Sequence, residues 1–211
     1  MPLKLLEHPD SPNCRKVRLL LAALDVSYTS QRIDLLGGET RTQTFLTLNP
    51  AGKIPVLIDG GLVLAESNAI LLHLAARFAP AWAGRTEVER AHVNRFLFWS
   101  TSGPMKRIAT VGYERVIAPR RGRMTNDSVV AAETREWHRD GQVLEHWLRE
   151  HAFIADALSV ADVALGAWIE LADDLDMLRQ LPATREWMAR LRARDFWTRA
   201  GGYELIVSAP R

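Results

Sequence analysis

Apolar residues recur over the first eighty positions with two spacings, one typical of strands and one typical of helices. Val17, Leu20, Leu21 and Leu24 lie on one face of a helix, whereas the strand signals are short apolar or alternating runs. An Asp-Gly-Gly run at residues 59–61 predicts a hairpin turn. The predicted strands are residues 3–7, 27–34, 56–58 and 62–64, and the predicted helices are residues 12–24, 42–48 and 67–78.

The second half of the chain has a different pattern. Residues 79–86 contain proline and glycine and are interpreted as a linker, and beyond residue 87 helical periodicity dominates. The pattern therefore predicts a small α/β domain over 1–78 and an all-helical domain over 87–211. The predicted breaks between helices fall at Pro104, Pro119, Gly122 and Pro182.

Composition and charge narrow the class of protein. The chain has 211 residues, 47% of them hydrophobic, and a net charge of +2. Its densest basic stretch, at residues 119–123, is too short to indicate nucleic-acid binding and is interpreted as a solvated loop. No apolar run approaches membrane length, and no leader-like segment opens the chain. One cysteine excludes an intramolecular disulfide, which suits a reducing compartment, so we expect a cytoplasmic protein. From the charge pattern and the short apolar runs we expect no nucleic-acid partner and no membrane partner.

The turn between the first strand and the first helix carries candidate chemistry. Asp10 and Ser11 are both suitable N-caps, and Pro12 suits the first helical position. A hydroxyl at a helix N-terminus can also stabilise a thiolate, and the amide of Asn13 can donate to an anion. Cys14 is either a reactive thiol or a small buried residue. It lies three positions before Val17 on the apolar stripe, so we expect it to face the core.

Pro55 follows Ile54 at the start of a predicted strand, where a proline does not disturb the sheet ladder. Most such bonds are trans, and the residues alone do not decide this one. A cis bond would leave the backbone of Ile54 open to pair with an extended peptide.

Four charged or polar residues could bind a short peptide. Ser67 begins a helix after Glu66, so it is either a plain N-cap or, with the helix N-terminus, a carboxylate site. Glu66 would then bind the ammonium group of the same amino-acid end. Lys53 and Arg41 are either solvated or bind the opposite carboxylate.

The helical part offers weaker candidates. Ser159 and Asp162 have the spacing of a capping box before an apolar helix, which is a folding signal. Trp99, Met105 and Tyr113 could line an apolar pocket that faces the first domain, or they could belong to the helix core.

Taken together, these segments resemble one family. The segments at residues 11–17, 49–57, 66–70 and 159–162, and Leu181-Pro182 followed by Trp187, are similar in order and spacing to those of the cytosolic glutathione transferases. The resemblance covers nearly the whole chain. It implies a thioredoxin-like N-terminal domain of βαβαββα order, an all-helical C-terminal domain and a homodimer.

The resemblance also assigns the parts of glutathione. It implies a cis bond at Pro55 and pairing of the Ile54 backbone with the cysteinyl part. It implies that Glu66 and Ser67 bind the γ-glutamyl end and that Lys53 lies near the glycine carboxylate. Thr40 stands where related sequences carry a histidine, which leaves Arg41 as a further candidate for that carboxylate.

The opening turn separates the classes of the family. The first strand has no tyrosine, and Ser11 stands where the serine-type classes carry their serine. Ser11, Pro12 and Asn13 resemble the threonine-proline-asparagine run of a bacterial disulfide-reducing class. The serine-serine-cysteine run of the isomerase class is missing. The resemblance thus implies that Ser11 and Asn13 activate the thiol and that Cys14 is a bystander.

The leading hypothesis is a glutathione transferase, with glutathione as co-substrate and no metal, that conjugates the thiol to a small electrophile. The alternatives are a glutathione-dependent reductase of disulfides or peroxides, and an interaction protein of the same fold without turnover.

Overall fold

The computed structural model describes residues 2–203, and its N-terminal half is built on one mixed sheet. The strand order is β2-β1-β3-β4, in which β1 and β2 run parallel and β3 runs antiparallel to both of its neighbours. The strands are β1 (Leu3–Glu7), β2 (Tyr28–Arg32), β3 (Val56–Asp59) and β4 (Leu62–Leu64). The predicted hairpin between β3 and β4 is confirmed, since Asp59 pairs with Leu62.

Three α-helices accompany the sheet, and each was predicted within a few residues of its bounds. They are α1 (Pro12–Ala23), α2 (Gln43–Leu48) and α3 (Ser67–Phe78). Helix α1 connects the parallel strands β1 and β2, as a parallel pair requires. The βαβαββα order of a thioredoxin-like domain is therefore confirmed.

Beyond the sheet the described chain is helical, as predicted. The helices are α4 (Glu87–Thr101), α5 (Pro104–Gly112), α6 (Ala118–Arg120), α7 (Asp127–Leu148), α8 (Val160–Asp174), α9 (Pro182–Arg192) and α10 (Asp195–Arg199). Pro104 and Pro182 begin helices, where their missing N–H costs nothing. A short 3₁₀ helix at Pro80–Ala83 lies inside the predicted linker.

The domain boundaries 1–78 and 87–211 stay predictions. Met1 and residues 204–211, which these ranges include, lie outside the described residues. Within residues 2–203, no helix has the length and apolar character needed to cross a membrane.

The sheet has a different apolar cluster on each face. Leu5 and Leu57 join the main cluster, which continues through α1 and α3 into the helices around α8. Leu6 and Val56, which point to the opposite face, pack with Phe45 of α2. This cluster includes residues of the sheet, of α1 and of α8, and α1 is packed between the sheet and α8.

A buried ion pair joins the same two helices. Arg15 of α1 is 2% exposed, and its guanidinium forms two hydrogen bonds with the carboxylate of Glu170 on α8. The indole of Trp197 donates to the same carboxylate over 2.8 Å. A buried ion pair needs such additional donors to offset its desolvation, and this one fixes α8 against α1.

The predicted capping box at the start of α8 is confirmed. The amide of Ser159 donates to Asp162 Oδ2 over 2.9 Å, and its hydroxyl donates to the same atom over 2.7 Å. Asp162 is fully buried and also accepts from the indole of Trp187 and the amide of Ile154. These bonds determine where α8 begins, and α8 forms one wall of the site described next.

Candidate functional site

Ser11 is the N-cap of α1, so the sequence offered two caps and the structure uses this one. Its Oγ accepts from the amide of Cys14 over 3.3 Å, and its own amide donates to the carbonyl of His8 over 3.1 Å. The hydroxyl hydrogen of Ser11 is not used in this cap. It can donate to an anion, at the end of the helix where the backbone dipoles favour negative charge.

Cys14 faces the interior, as its place on the apolar stripe predicted. It has no exposed surface, and burial raises the pKa of its thiol to about 11. A thiol with such a pKa stays protonated near neutral pH and is a poor nucleophile. Cys14 therefore contributes to the packing of α1.

The junction of β4 and α3 differs from the prediction in one respect. Helix α3 begins at Ser67 itself, and the N-cap position is Glu66, whose side chain forms no cap bond. Of the two interpretations of Ser67, the plain N-cap does not hold, and its hydroxyl instead donates to Asn13 Oδ1 over 3.3 Å. Glu66 has a φ of 64°, a backbone conformation that side chains rarely adopt and that is common at functional sites. Its side chain is exposed.

Asn13 connects three elements at the centre of this region. Its Oδ1 accepts from Ser67 of α3 and, over 3.2 Å, from the indole Nε1 of Trp168 on α8. Asn13 follows Ser11 by two residues in the first turn of α1. The structure therefore brings Ser67 next to Ser11 and Asn13, which were predicted from a different motif.

Lys53 and Ile54 precede β3 in a loop whose shape is held by Asn49. The side-chain amide of Asn49 donates to the carbonyl of Lys53 over 2.7 Å, and its Oδ1 accepts from the amide of Ala51 over 3.1 Å. The Ile54–Pro55 peptide bond is cis, in agreement with the family resemblance.

Arg41 lies beside this loop. Gly52 has a φ of 61°, and a Cβ at that position would lie 2.6 Å from Nη1 of Arg41. The backbone angle favours glycine there, and the short distance shows that the Arg41 side chain lies against the loop. Arg41 and Lys53 are both exposed, so two cations lie at the same edge of the domain.

A buried lysine lies beneath the γ-glutamyl candidates. Lys16 has no exposed surface, and its Nζ donates to Asn68 Oδ1 over 2.7 Å, while the amide of Asn68 donates to the carbonyl of Leu97 on α4. Burial lowers the pKa of Lys16 to about 7, although the charge of Glu66 opposes this shift. No local signal pointed to this arrangement, because Lys16 directly follows the charged Arg15 and has the pattern of a solvated position.

An apolar cavity of about 230 Å³ adjoins the turn at the start of α1. Its walls come from that turn and from α5, α8 and the segment after α5. The lining residues are Asp10, Pro12, Ala109, Gly112, Tyr113, Val116, Ile117, Trp168 and Leu171. Apart from Asp10 and the hydroxyl of Tyr113, the lining is apolar, so the cavity suits a small apolar molecule.

Of the three side chains predicted for an apolar pocket, the structure brings only Tyr113 to this cavity. Met105 is a buried member of the main core cluster, and Trp99 packs against that cluster with its ring edge on Phe96. Trp168 was not predicted as a site residue. It follows the capping box of α8, but no local motif distinguishes it from a core tryptophan.

A π-helix at Tyr113–Ile117 shapes one wall of the cavity and supplies three of its lining residues. π-helical turns are rare in proteins, and those that occur often lie at functional sites. Contacts outside the π-helix hold it in place: Arg115 donates to the carbonyl of Leu175 over 2.7 Å, and Thr125 donates to the carbonyl of Glu114. Arg123 donates to the Tyr113 hydroxyl over 3.1 Å.

Residues 2–203 contain no cluster of three metal-ligating side chains suited to a metal ion.

Comparisons with known proteins agree with this geometry. Residues 1–76 match the family model described as the glutathione S-transferase N-terminal domain. The chain is 31% identical over 198 residues to the disulfide-bond oxidoreductase YfcG of Escherichia coli, covering 87% of each chain. It is 32% identical over 158 residues to glutathione S-transferase theta-3 of Mus musculus, covering 72% of this chain and 66% of the mouse protein.

A solved structure is similar over nearly the full length. It is the theta class glutathione S-transferase from Xanthomonas axonopodis pv. citri with glutathione bound, at 30% identity and a TM-score of 0.88. The match covers 95% of this chain and 97% of the other.

Proposed function

Because the chain belongs to the glutathione S-transferase family, we propose that it activates the thiol of glutathione and transfers the sulfur to a small electrophile. In this reaction the thiol proton leaves to solvent, the thiolate forms a bond to the electrophilic carbon, and the leaving group departs with its bonding electrons. The homologue of known structure holds glutathione, which supports glutathione as the co-substrate.

The position of Asn13 carries the proposal. Its amide touches Ser67, a residue of the proposed γ-glutamyl site, and Trp168, a wall of the apolar cavity. Ser11, two residues before it, caps α1 next to that cavity. A thiol placed here would meet two donors and face the second substrate.

We assign the rest of glutathione to the edge of the N-terminal domain. Glu66 and Ser67 bind the γ-glutamyl ammonium and carboxylate, and the backbone of Ile54, next to Pro55, pairs with the cysteinyl unit. The glycine carboxylate lies near Lys53 and Arg41, whose positive charges suit it.

The test is calorimetry with glutathione, followed by a panel of three second substrates: chloro-dinitrobenzene, a hydroperoxide and a mixed disulfide. We expect binding and turnover of chloro-dinitrobenzene. Failure to bind glutathione would refute the assignment, and binding without turnover of any of the three would indicate an interaction protein of the same fold.

Reduction of disulfides is the second candidate reaction. The Ser11-Pro12-Asn13 run resembles that of the disulfide-reducing class, and the relative YfcG is named a disulfide-bond oxidoreductase. If the mixed disulfide is the best substrate of the panel, this reaction replaces conjugation.

We also propose a homodimer, in which the first domain of one copy packs against the helices of the other. A groove between α3 and α4 adjoins Glu66, and Phe98 on its rim is 74% exposed. Leu62 and Val63 of β4 are exposed as well. Light scattering should give twice the chain mass, and Phe98→Ser should lower it; a monomer at micromolar concentration would refute the proposal.

We also propose that the chain acts in the cytoplasm. The single cysteine, which is buried and free, suits a reducing compartment. Expression with a fluorescent tag at either end would show the compartment.

Finally, we propose that residues 79–86 separate two domains, 1–78 and 87–211. Limited proteolysis at 79–86 would test this boundary.

A further inference from the structure

Trp168 contacts both the apolar cavity and Asn13 at the start of α1. Its indole ring lines the apolar cavity, and its Nε1 donates to Asn13 Oδ1 over 3.2 Å. The side chain is 7% exposed and sits on α8, which the capping box and the ion pair to Arg15 hold in place. The indole is therefore a fixed donor.

The hydrogen-bonding capacity of each group decides how the Asn13 amide is oriented. A side-chain amide has an oxygen that accepts and a nitrogen that donates, and the two exchange places by rotation. The indole N–H of Trp168 only donates, so it can face the oxygen but not the nitrogen of Asn13. The Ser67 hydroxyl, in contrast, donates and accepts, and would tolerate either orientation. Trp168 is thus the group that selects one of them.

The selected orientation leaves the amide nitrogen of Asn13 available. Among residues 2–203, no acceptor forms a hydrogen bond with Nδ2, while Oδ1 has two donors. In the reversed orientation the amide would present oxygen instead, and a lone pair would face the developing negative charge on sulfur.

We propose that Trp168 is a positioning residue for thiol activation: its indole N–H holds the Asn13 amide with Nδ2 free to donate to the sulfur of bound glutathione. This inference rests on the proposed function. It assigns a second role to a side chain that would otherwise be only a wall of the cavity.

The decisive variant is Trp168→Phe, which keeps an aromatic wall and removes the N–H. The readouts are the pH titration of the thiolate absorbance of bound glutathione, the affinity for glutathione, and the kcat and KM for chloro-dinitrobenzene. We expect the thiol pKa to rise and kcat to fall about three- to tenfold, the worth of one hydrogen bond. Glutathione affinity should fall by no more than the same factor, because the interaction that is lost is the one with the thiolate.

A matched control and a double variant separate positioning from packing. Trp137→Phe removes an indole N–H that donates to the carbonyl of Met177, and it should leave the thiol pKa unchanged. In an Asn13→Ala background, Trp168→Phe should have no further effect on that pKa, since the group it positions is gone.

Asn13→Asp provides a second variant if Trp168→Phe does not fold. Its carboxylate still accepts from Trp168 and Ser67 but has no N–H to offer, so the contribution of Asn13 to thiol activation should be lost and the thiol pKa should rise, while Ser11 still acts. An unchanged thiol pKa in Trp168→Phe or in Asn13→Asp would overturn the proposal, as would a full effect of Trp168→Phe without Asn13. If wild-type protein shows no bound thiolate at all, the proposed function fails first and this inference falls with it.

Discussion

The two halves of the candidate site are built in different ways. The polar half comes from short segments next to strands: Ser11 follows β1, Lys53 precedes β3, and Glu66 follows β4. The apolar half comes from helices distant in sequence, with Ala109 on α5 and Trp168 on α8. The first half is specified locally and the second by tertiary packing, so substitutions in each should change different kinetic quantities.

Ser11→Ala should have the largest effect and should act on the thiol. The variant removes the hydroxyl at the start of α1, and losing one donor to a developing anion lowers the rate by about 10²-fold. Kinetics with chloro-dinitrobenzene measure this. Ser11→Thr is the control, because it keeps the hydroxyl and should keep most of the activity. A rate for Ser11→Ala equal to wild type would contradict the role of Ser11.

Glu66→Ala should act on glutathione binding. A hydrogen bond to a charged group contributes about 1.5–3 kcal/mol, so the dissociation constant should rise about ten- to a hundredfold. The backbone strain at this position stays, since alanine also has a side chain. Calorimetry measures the constant, with exposed Glu150→Ala as a control. Unchanged affinity would refute the placement of the γ-glutamyl end.

Ala109→Leu should act on the apolar half alone. The larger side chain would fill part of the cavity and raise the KM of the second substrate about tenfold, the worth of a methylene or two in a tight pocket. Glutathione affinity should not change. Ala91→Leu, on the exposed surface of α4, is the matched control. A parallel loss of glutathione affinity in Ala109→Leu would show that the two halves are not separate.

Cys14→Ala should have the smallest effect on activity. Because the thiol is fully buried, the variant should lose about 1 kcal/mol of unfolding free energy and keep its turnover. Denaturant unfolding and steady-state kinetics measure the two quantities. In native wild-type protein the thiol should not react with an alkylating reagent, and fast labelling would contradict this account.

Cys14 should also affect stability at high pH. Its folded pKa of about 11 lies above the ordinary value of 9.0, so the folded state keeps the proton longer than the unfolded chain. Its contribution is complete below pH 9 and is lost as the pH rises toward 11. Unfolding curves over this range should fall more steeply for wild type than for Cys14→Ala.

The same contrast explains what could be predicted from sequence. Ser11, Asn13, Glu66 and Ser67 belong to contiguous motifs, so their clustering followed from the order of strands and helices. The choice between a cap and a site residue at Ser67 stayed open, because its hydroxyl bonds a residue 54 positions away, which a local rule does not detect.

The apolar half could not be predicted in this way. Tyr113 was found, but Met105 and Trp99 have the same apolar periodicity and pack in or against the core instead. Tyr113 lines the cavity because it belongs to the π-helix at Tyr113–Ile117, which lies next to α8. Hydrogen bonds of Arg115 and Thr125 hold this π-helix in place. Those contacts depend on tertiary packing and leave no mark in the spacing of apolar residues.

The central claim is that the thiol of glutathione is activated at the start of α1 by Ser11 and not through Cys14. The most direct test is the pH titration of thiolate absorbance for glutathione bound to wild type, Ser11→Ala and Cys14→Ala. A free thiol has a pKa of about 8.5. We expect a much lower value in wild type and Cys14→Ala and a return toward the free value in Ser11→Ala. A shift in Cys14→Ala with none in Ser11→Ala would contradict the account.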